Sequence, residues 1–474
     1  MKAKRGLDLA VQAVERIKAR HPEVDLWIGH GKFGGHGDTA VAIAHARAAR
    51  RWAAETFPGA NVGHMVLAKT TGSQTDIDLF RGSSEFLVGY VCIPDPGWHD
   101  AVLALRPCFE VYHDVQYVVG TYLLAGGKLG PLGTSLAIEA EQRLRPFSRF
   151  YSGFPLSNNE LGAMWPVTQW ELMSRTGLFD VSPADLWVPV AEPTVGFGEW
   201  NVPTTSRSWR WAHQFADRLD RCVVIHAGAG GHGSLKVPSL DVFAACAAAA
   251  WGRGYTPIQV GIEGEAVVPG CVDGRGLSLP ETAWLVGRAT LLVCAEGFLA
   301  YVARVVSTRS LTFFGPTPTG MFGFFEERAE DGTLVFPGHV NHSEGKCSAC
   351  WWLTGGGWDG KCPKANRTCA NFPGPGEAQD LTVRVLLACE ANPWPRAADG
   401  EPRDPEGQAA VQDATAANGG GVVAKVGEPK EDEDGDGTRA DGGGAAELQQ
   451  SRGHGEGGEG DPRADARRDP LDYL

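Results

Sequence analysis

Cys347, Cys350, Cys362 and Cys369 fall within 23 residues in the spacing C-x2-C-x11-C-x6-C. Four thiolates so spaced suit a closed tetrahedral metal site, with zinc and iron both acceptable and disulfides or free thiols as the alternative. Four sulfurs leave no position for water or substrate, so such a metal would staple the chain and do no chemistry. The other seven cysteines (Cys92, Cys108, Cys222, Cys246, Cys271, Cys294 and Cys389) are scattered through apolar segments and read as small reduced hydrophobes.

A second pattern is glycine-rich. GKFGGHGD, ending at Asp38, and AGAGGHGSLK, ending at Lys236, each follow an apolar strand and open a helix. Glycines at such turns let the backbone approach a phosphate, which the unpaired N–H groups of the helix N-terminus then hold. Gly228, Gly230 and Gly233, with Gly231 in the same turn, fit G-x-G-x-x-G, and Glu263 ends the next strand. A nicotinamide-dependent oxidoreductase is therefore one reading. Lys236, three residues past the last glycine, is better explained as a cation for a diphosphate. No G-x4-G-K-[ST] occurs, which removes the P-loop reading. His30, His36, His226 and His232 crowd the two turns; without a carboxylate in sequence reach they make no metal signature.

The elements that must carry these residues alternate. The first twenty residues form a charged amphipathic helix; Leu26 to Ile28 is a strand, followed by the alanine-rich helix of TAVAIAHARAARRWAAETF and a strand in NVGHMVLA. In the second half the expected strands are Cys222 to His226, Pro257 to Ile262, Thr290 to Cys294 and SLTFFGPT, with helices from Pro238, after Leu279 and from Phe298 between them. Such alternation predicts an α/β chain with two doubly wound, Rossmann-like domains facing one another.

The 474 residues carry a formal charge of −14, but residues 401–474 hold 18 Asp and Glu against 8 Lys and Arg. The overall acidity argues against nucleic acid as the main partner, although the body without this tail is close to neutral. No apolar run reaches the roughly 20 residues of a membrane span and the N-terminus lacks a signal-peptide block, so the expected compartment is the cytoplasm. From about residue 393 the chain is Gly, Ala, Glu, Asp and Pro, and it is expected to be disordered.

The residues now in view resemble the bacterial heptosyltransferases of glycosyltransferase family nine. GGHGDTAVAIAHARAARRWAAETFPGANVGHMV is similar to their opening, VVIHAGAGGHGSLKVPSLDVF to their strand, glycine turn and lysine, SLPETAWLVGRATLLVCAEG to the helix and strand before an acidic turn, and FFGPTPT to their closing motif. Glu296-Gly297 followed by the finger CSACWW is similar to the autotransporter heptosyltransferases, which modify adhesin serines; Tyr301 stands where those relatives have histidine.

The resemblance implies a GT-B fold, an ADP-heptose donor, a protein acceptor, an iron finger and homo-oligomers. It implies Asp38 as the base that takes the acceptor proton. It also implies Gly228, Gly230, Gly231 and Lys236 at the diphosphate, with Glu263 or Glu265 on ribose hydroxyls. Glu296 and Gly297 would sit at nucleotide or sugar. The expected layout is an acceptor domain over 1–205, a donor domain over 206–340, the finger over 341–375, a closing helix over 376–392 and the acidic tail over 393–474. Alternatives are a lipopolysaccharide-core heptosyltransferase, the oxidoreductase above, or a non-catalytic GT-B scaffold.

Overall fold

A computed structural model of the chain describes residues 2–32, 35–69, 74–83, 87–93, 98–115, 118–124, 127–147, 167–190, 219, 221–228, 233–328, 331–332, 334–347, 362, 369–393 and 422–425. In the first half, strands β1 (Leu26–Lys32), β2 (Val62–Lys69), β3 (Gly89–Ile93), β4 (Val111–Val115) and β5 (Val119–Leu123) alternate with helices. These are α1 (Lys2–Arg20), α2 (His36–Thr56), α3 (Gln74–Gly82), α4 (Trp98–Leu105) and α5 (Gly130–Leu144), after which α6 (Gln169–Thr176) leads toward the second half. There β6 (Cys222–His226), α7 (Gly233–Lys236), α8 (Leu240–Gly252), β7 (Thr256–Gln259), β8 (Val272–Asp273), α9 (Leu279–Arg288), β9 (Leu291–Ala295), α10 (Phe298–Val305) and β10 (Ser310–Phe313) follow in order. The remainder is α11 (Thr319–Phe322), the antiparallel hairpin β11 (Glu326–Arg328) and β12 (Leu334–Pro337), β13 (Val340–His342), α12 (Pro375–Ala391) and β14 (Val422–Lys425).

Two sheets result. The first runs β14-β3-β2-β1-β4-β5, with only β5 antiparallel; the second runs β13-β10-β9-β6-β7-β8 and is parallel throughout. Taken in chain order, the second is the doubly wound 3-2-1-4-5-6 arrangement, and the first has the same 3-2-1-4-5 centre. This is the two-sheet α/β architecture expected of a GT-B chain. In each sheet the order reverses beside its first strand, between β1 and β4 and between β6 and β9. Ligands of such sheets bind at those points, beyond the carboxyl ends of the strands. The two sheets belong to one compact unit, residues 1–427. No described helix is long and apolar enough to cross a membrane.

Local sequence explains the packing. β6 (CVVIH) and β9 (LLVCA) are covered on both faces and so read as continuous apolar runs. α2 buries Thr39 to Ala46 almost without interruption. Its alanines keep the helix thin enough to lie close on the sheet.

β1 extends four residues beyond its expected end at Ile28 because Gly29 and Gly31 are strand positions. The rings of Phe109 and Tyr112 lie over Gly29, where a Cβ would come within 2.8 Å of both. Gly29→Ala is expected to cost about 1–3 kcal/mol by forcing these buried rings off their rotamers, measured by urea denaturation.

The tail departs from expectation at one place. Val422–Lys425 pairs in parallel with β3, Val422 opposite Gly89, and extends the first sheet. VVA is an apolar run in a region otherwise poor in them, and an open parallel edge accepts such a run. The rest of residues 394–474 lies outside the described residues.

Candidate functional site

The carboxyl end of β1 builds the first half of the site. Lys32, its last residue, is 1% exposed, and its Nζ donates to the carbonyl of Gly35 at 2.9 Å. Asp38, third in α2, reaches back so that Oδ2 accepts the Gly35 N–H at 2.8 Å, satisfying a donor that the helix leaves open. Asp76 of α3 is buried beside them, accepting from Thr39 Oγ1 at 2.8 Å and lying 3.2 Å from His36 Nδ1.

The second half comes from β9 and α7. Glu296, directly after β9, is held by its N–H to the carbonyl of Phe313 at 2.9 Å. Its buried Oε2 stands 2.9 Å from Lys236 Nζ and accepts from Thr317 Oγ1 at 3.2 Å. Gly297 then caps α10, whose Tyr301 ring packs over Gly37 at the start of α2, 3.5 Å from where a Cβ would stand. The buried Tyr301 hydroxyl accepts from Gln169 Nε2 at 3.0 Å, and Trp170 meets the Tyr301 ring edge-on. From its aromatic and amide content the stretch Tyr151 to Trp170 reads as a carbohydrate-contacting or interdomain loop, or as core; residues 151–166 lie outside the described residues, and Gln169 and Trp170, which open α6, meet Tyr301 of the second half.

The charges act on one another. Burial raises the Asp38 carboxyl above its ordinary range, while Lys32 and Lys236 pull it back and Glu296 pushes it further up. Burial lowers Lys32, offset by Asp76 and Asp38. Burial also raises the Tyr301 hydroxyl, which therefore stays protonated. Asp38 and Lys236, 198 positions apart in sequence, thus share one electrostatic environment, together with Glu296. A carboxylate able to take a proton next to a cation able to meet a leaving anion is the chemistry such a cluster offers.

The remaining expected residues form a second group at the ends of β6 and β7. Gly228 and Gly261 leave room for the Glu265 carboxylate, which lies 3.7 Å from His226 Nε2, and Glu263 is exposed on the same loop. Arg275 ties this loop down, holding Asp273 at 2.8 Å and donating to the carbonyl of Glu265. Gly230, Gly231 and His232 lie outside the described residues. Lys32, Asp76 and Thr317 were not anticipated as site residues. Lys32 had a signal, a charge closing the apolar run LWIGHGK, and Thr317 lies within FFGPTPT; Asp76 had none.

Of the finger, Cys350 lies outside the described residues. Cys362 packs against the cluster of Val118, Leu235 and Phe314, and Cys369 against that of Phe313 and Phe372. Among the described residues the one group of three or more His, Cys, Asp or Glu with ligand atoms mutually within 4.8 Å is His342, Glu344 and Glu377. The three described thiols are therefore not drawn together as a ligand set, and no chemistry is routed through a metal there.

His30 points away from the site, into a buried cluster with His45, His64 and His113. Its Nδ1 is 3.2 Å from His45 Nδ1 and its Nε2 3.1 Å from His64 Nδ1. His64 and His113 stack on it at 15° and 25°. His30 spends one ring nitrogen on His45 and the other on His64, and the four imidazoles do not converge as a ligand set among the described residues, so they make no metal site either.

No protein-family model matches the sequence, and no curated protein does. Among solved structures, the Escherichia coli ADP-heptose lipopolysaccharide heptosyltransferase II is 13% identical over 77% of this chain and 100% of its own, with a TM-score of 0.39. The iron-containing dodecameric glycosyltransferase TibC of enterotoxigenic E. coli is 12% identical over 77% of this chain and 76% of its own, with a TM-score of 0.42. A family 9 glycosyl transferase from Veillonella parvula is 12% identical over 63% and 83%, with a TM-score of 0.38. Similarity this low carries no argument about activity, and the two-sheet architecture stands on its own strand order.

Proposed function

We propose that the chain is an inverting glycosyltransferase that moves heptose from ADP-heptose to a hydroxyl group of a protein. One observation supports it most: a carboxylate from the first sheet, Asp38, shares its surroundings with a lysine from the second, Lys236, beyond the carboxyl ends of both sheets. In this reading Asp38 removes the acceptor hydroxyl proton as the oxygen attacks the sugar's anomeric carbon. The bond from that carbon to the diphosphate breaks from the opposite side, and Lys236 meets the charge that develops on the leaving phosphate. The turn from Gly228, with Gly230 and Gly231, would hold the diphosphate and Glu263 or Glu265 the ribose. Glu296, seated between Lys236 and Thr317, would face the sugar.

The four-cysteine finger, with iron as its metal, homo-oligomers and an adhesin serine as acceptor belong to the same proposal and rest on the resemblance.

The test offers the purified chain ADP-heptose, GDP-sugar or UDP-sugar with a serine-rich adhesin repeat, and reads the mass added to the acceptor. The same preparation is analysed for iron and zinc. A heptose increment from the ADP donor is expected. Lys236→Ala is expected to cut kcat by about a hundredfold or more, since it removes the cation that meets the departing charge. Thermal stabilisation by NADH and not by ADP would instead favour the oxidoreductase reading.

A further inference from the structure

Outside the cleft, β13 and the first turn of α12 bring three side chains to one point. His342 Nε2 lies 3.0 Å from Glu344 Oε1 and 3.9 Å from Glu377 Oε1. All three ligand atoms lie within 4.8 Å of one another. With metal–ligand bonds of about 2.1 Å, neighbouring ligands of an octahedral ion stand about 3.0 Å apart and opposite ones about 4.2 Å. We propose that His342, Glu344 and Glu377 form a binding site for a divalent cation of the manganese and zinc class, one that ties β13 to α12.

The donors are held before any ion arrives. The Glu344 N–H donates to the carbonyl of Asn371 at 2.8 Å, and the buried Asn371 side chain donates to the carbonyl of Gly315 at 3.0 Å and accepts from the Cys347 N–H at 2.7 Å. The His342 ring packs edge-on against Phe313. Glu344 is only 8% exposed, yet its carboxylate is pressed against a second one. The hydrogen bond from Glu377 holds Glu344 down, and the same bond pushes the Glu377 carboxyl up. Lys346, at 2.8 Å from Glu344 Oε2, adds a cation from the exposed side. Two carboxylates forced together require positive charge between them, and a divalent ion provides it on the side that His342 closes. The position flanks the points where the chain leaves for and returns from the finger, Cys347 and Cys369, and the inference does not depend on the proposed transfer reaction.

Manganese separates this site from the cysteines, because thiolates favour softer ions. The full-length chain, stripped with a chelator, is titrated with MnCl2 and the free-ion electron paramagnetic resonance signal is followed. One Mn2+ bound per chain is expected. Affinity should fall about tenfold or more in Glu377→Gln and in His342→Gln, and hold in Cys347→Ser. Glu377 is 43% exposed and glutamine keeps a donor toward Glu344, so that variant is expected to fold, checked by an unchanged melting midpoint without metal. No uptake by the wild-type chain, equal uptake by all variants, or loss only in Cys347→Ser would overturn the assignment.

Discussion

Asp38→Asn is expected to lower the transfer rate about a thousandfold while leaving the fold and the donor KM nearly unchanged. The substitution is chosen for what it preserves. Asn Oδ1 can still accept the Gly35 N–H that Asp38 Oδ2 accepts at 2.8 Å, so the start of α2 keeps its closure. What disappears is a group that can bind a proton. Asp38→Ala removes the hydrogen bond as well and should add about 1 kcal/mol of destabilisation. The two variants separate the competing roles of this residue. An Asp38 that only caps its helix predicts an Asn variant of wild-type rate and an Ala variant that is merely less stable. An Asp38 that takes the proton predicts two variants equally slow. The local field favours the second. Burial lifts the carboxyl above its ordinary range and so makes it a better proton acceptor, while Lys32 and Lys236 pull it back toward the ionised form. Only the ionised form can act, so activity is lost as pH falls through that raised value.

The order of elements was legible because each strand and helix carries its own period. Cys222–His226 lies where the apolar run of RCVVIH indicates, α10 begins at Phe298 as expected, and α9 begins at Leu279, one residue before its expected start. Boundaries slipped where glycine has two meanings. Gly29 and Gly31 look like the beginning of a turn, yet they continue β1 because rings from β4 and its approach need the space their missing side chains leave. In the tail, two valines were outweighed by the acidic, glycine-rich composition around them, although an edge strand needs only four residues.

The site divides in the same way. Lys236 and Asp38 could be singled out because each follows a glycine turn. Asp76 could not: its importance comes only from what it touches, Thr39. Tyr301 is the instructive case. At a position where a histidine was the expectation, the chain has a larger ring whose hydroxyl reaches a partner on α6, so a departure in sequence becomes a hydrogen bond between the two halves.

The histidine cluster shows the limit most clearly, and it leads to the second large effect. His30 looked like a residue of the glycine turn. Instead β1, β2, β4 and α2 bring His30, His64, His113 and His45 together with at most 2% exposure. His30 and His113 are direct cross-strand neighbours, a relation that no spacing in the sequence reveals.

Acid is therefore expected to unfold this protein steeply, with a midpoint between about pH 5 and 6. A neutral imidazole offers one donor and one acceptor, and His30 can use both, one toward His45 and one toward His64. The Nε2 atoms of His45, His64 and His113 have no hydrogen-bond partner among the described residues, and nothing in the cluster can compensate a charge. His113 Nδ1 meets the neutral hydroxyl of Thr121 at 3.0 Å, and the charge facing His64 is a further cation, Arg50. Burial holds His30 and His45 well below their ordinary range and His64 and His113 down to about 3. The sign follows from linkage. These groups stay neutral in the folded chain and titrate near 6.5 once unfolded, so their contribution is fully present above that value and falls as pH drops below it. Each buried histidine then costs about 1.4 kcal/mol per pH unit, and four together lose about 8 kcal/mol by pH 5. That is the whole stability of an ordinary domain. Trp52 packs against His113 at 6.2 Å and supplies the probe through its fluorescence. The transition should take up about four protons, and His64→Gln or His113→Gln should each remove about one from its steepness. A fold that persists below pH 4, or a transition whose steepness ignores both substitutions, would show that these rings accept protons in place. With the cluster neutral, α2 is held against the first sheet through His45 and Asp38 is held at the cleft. Acid should therefore silence the site by releasing the helix that carries Asp38.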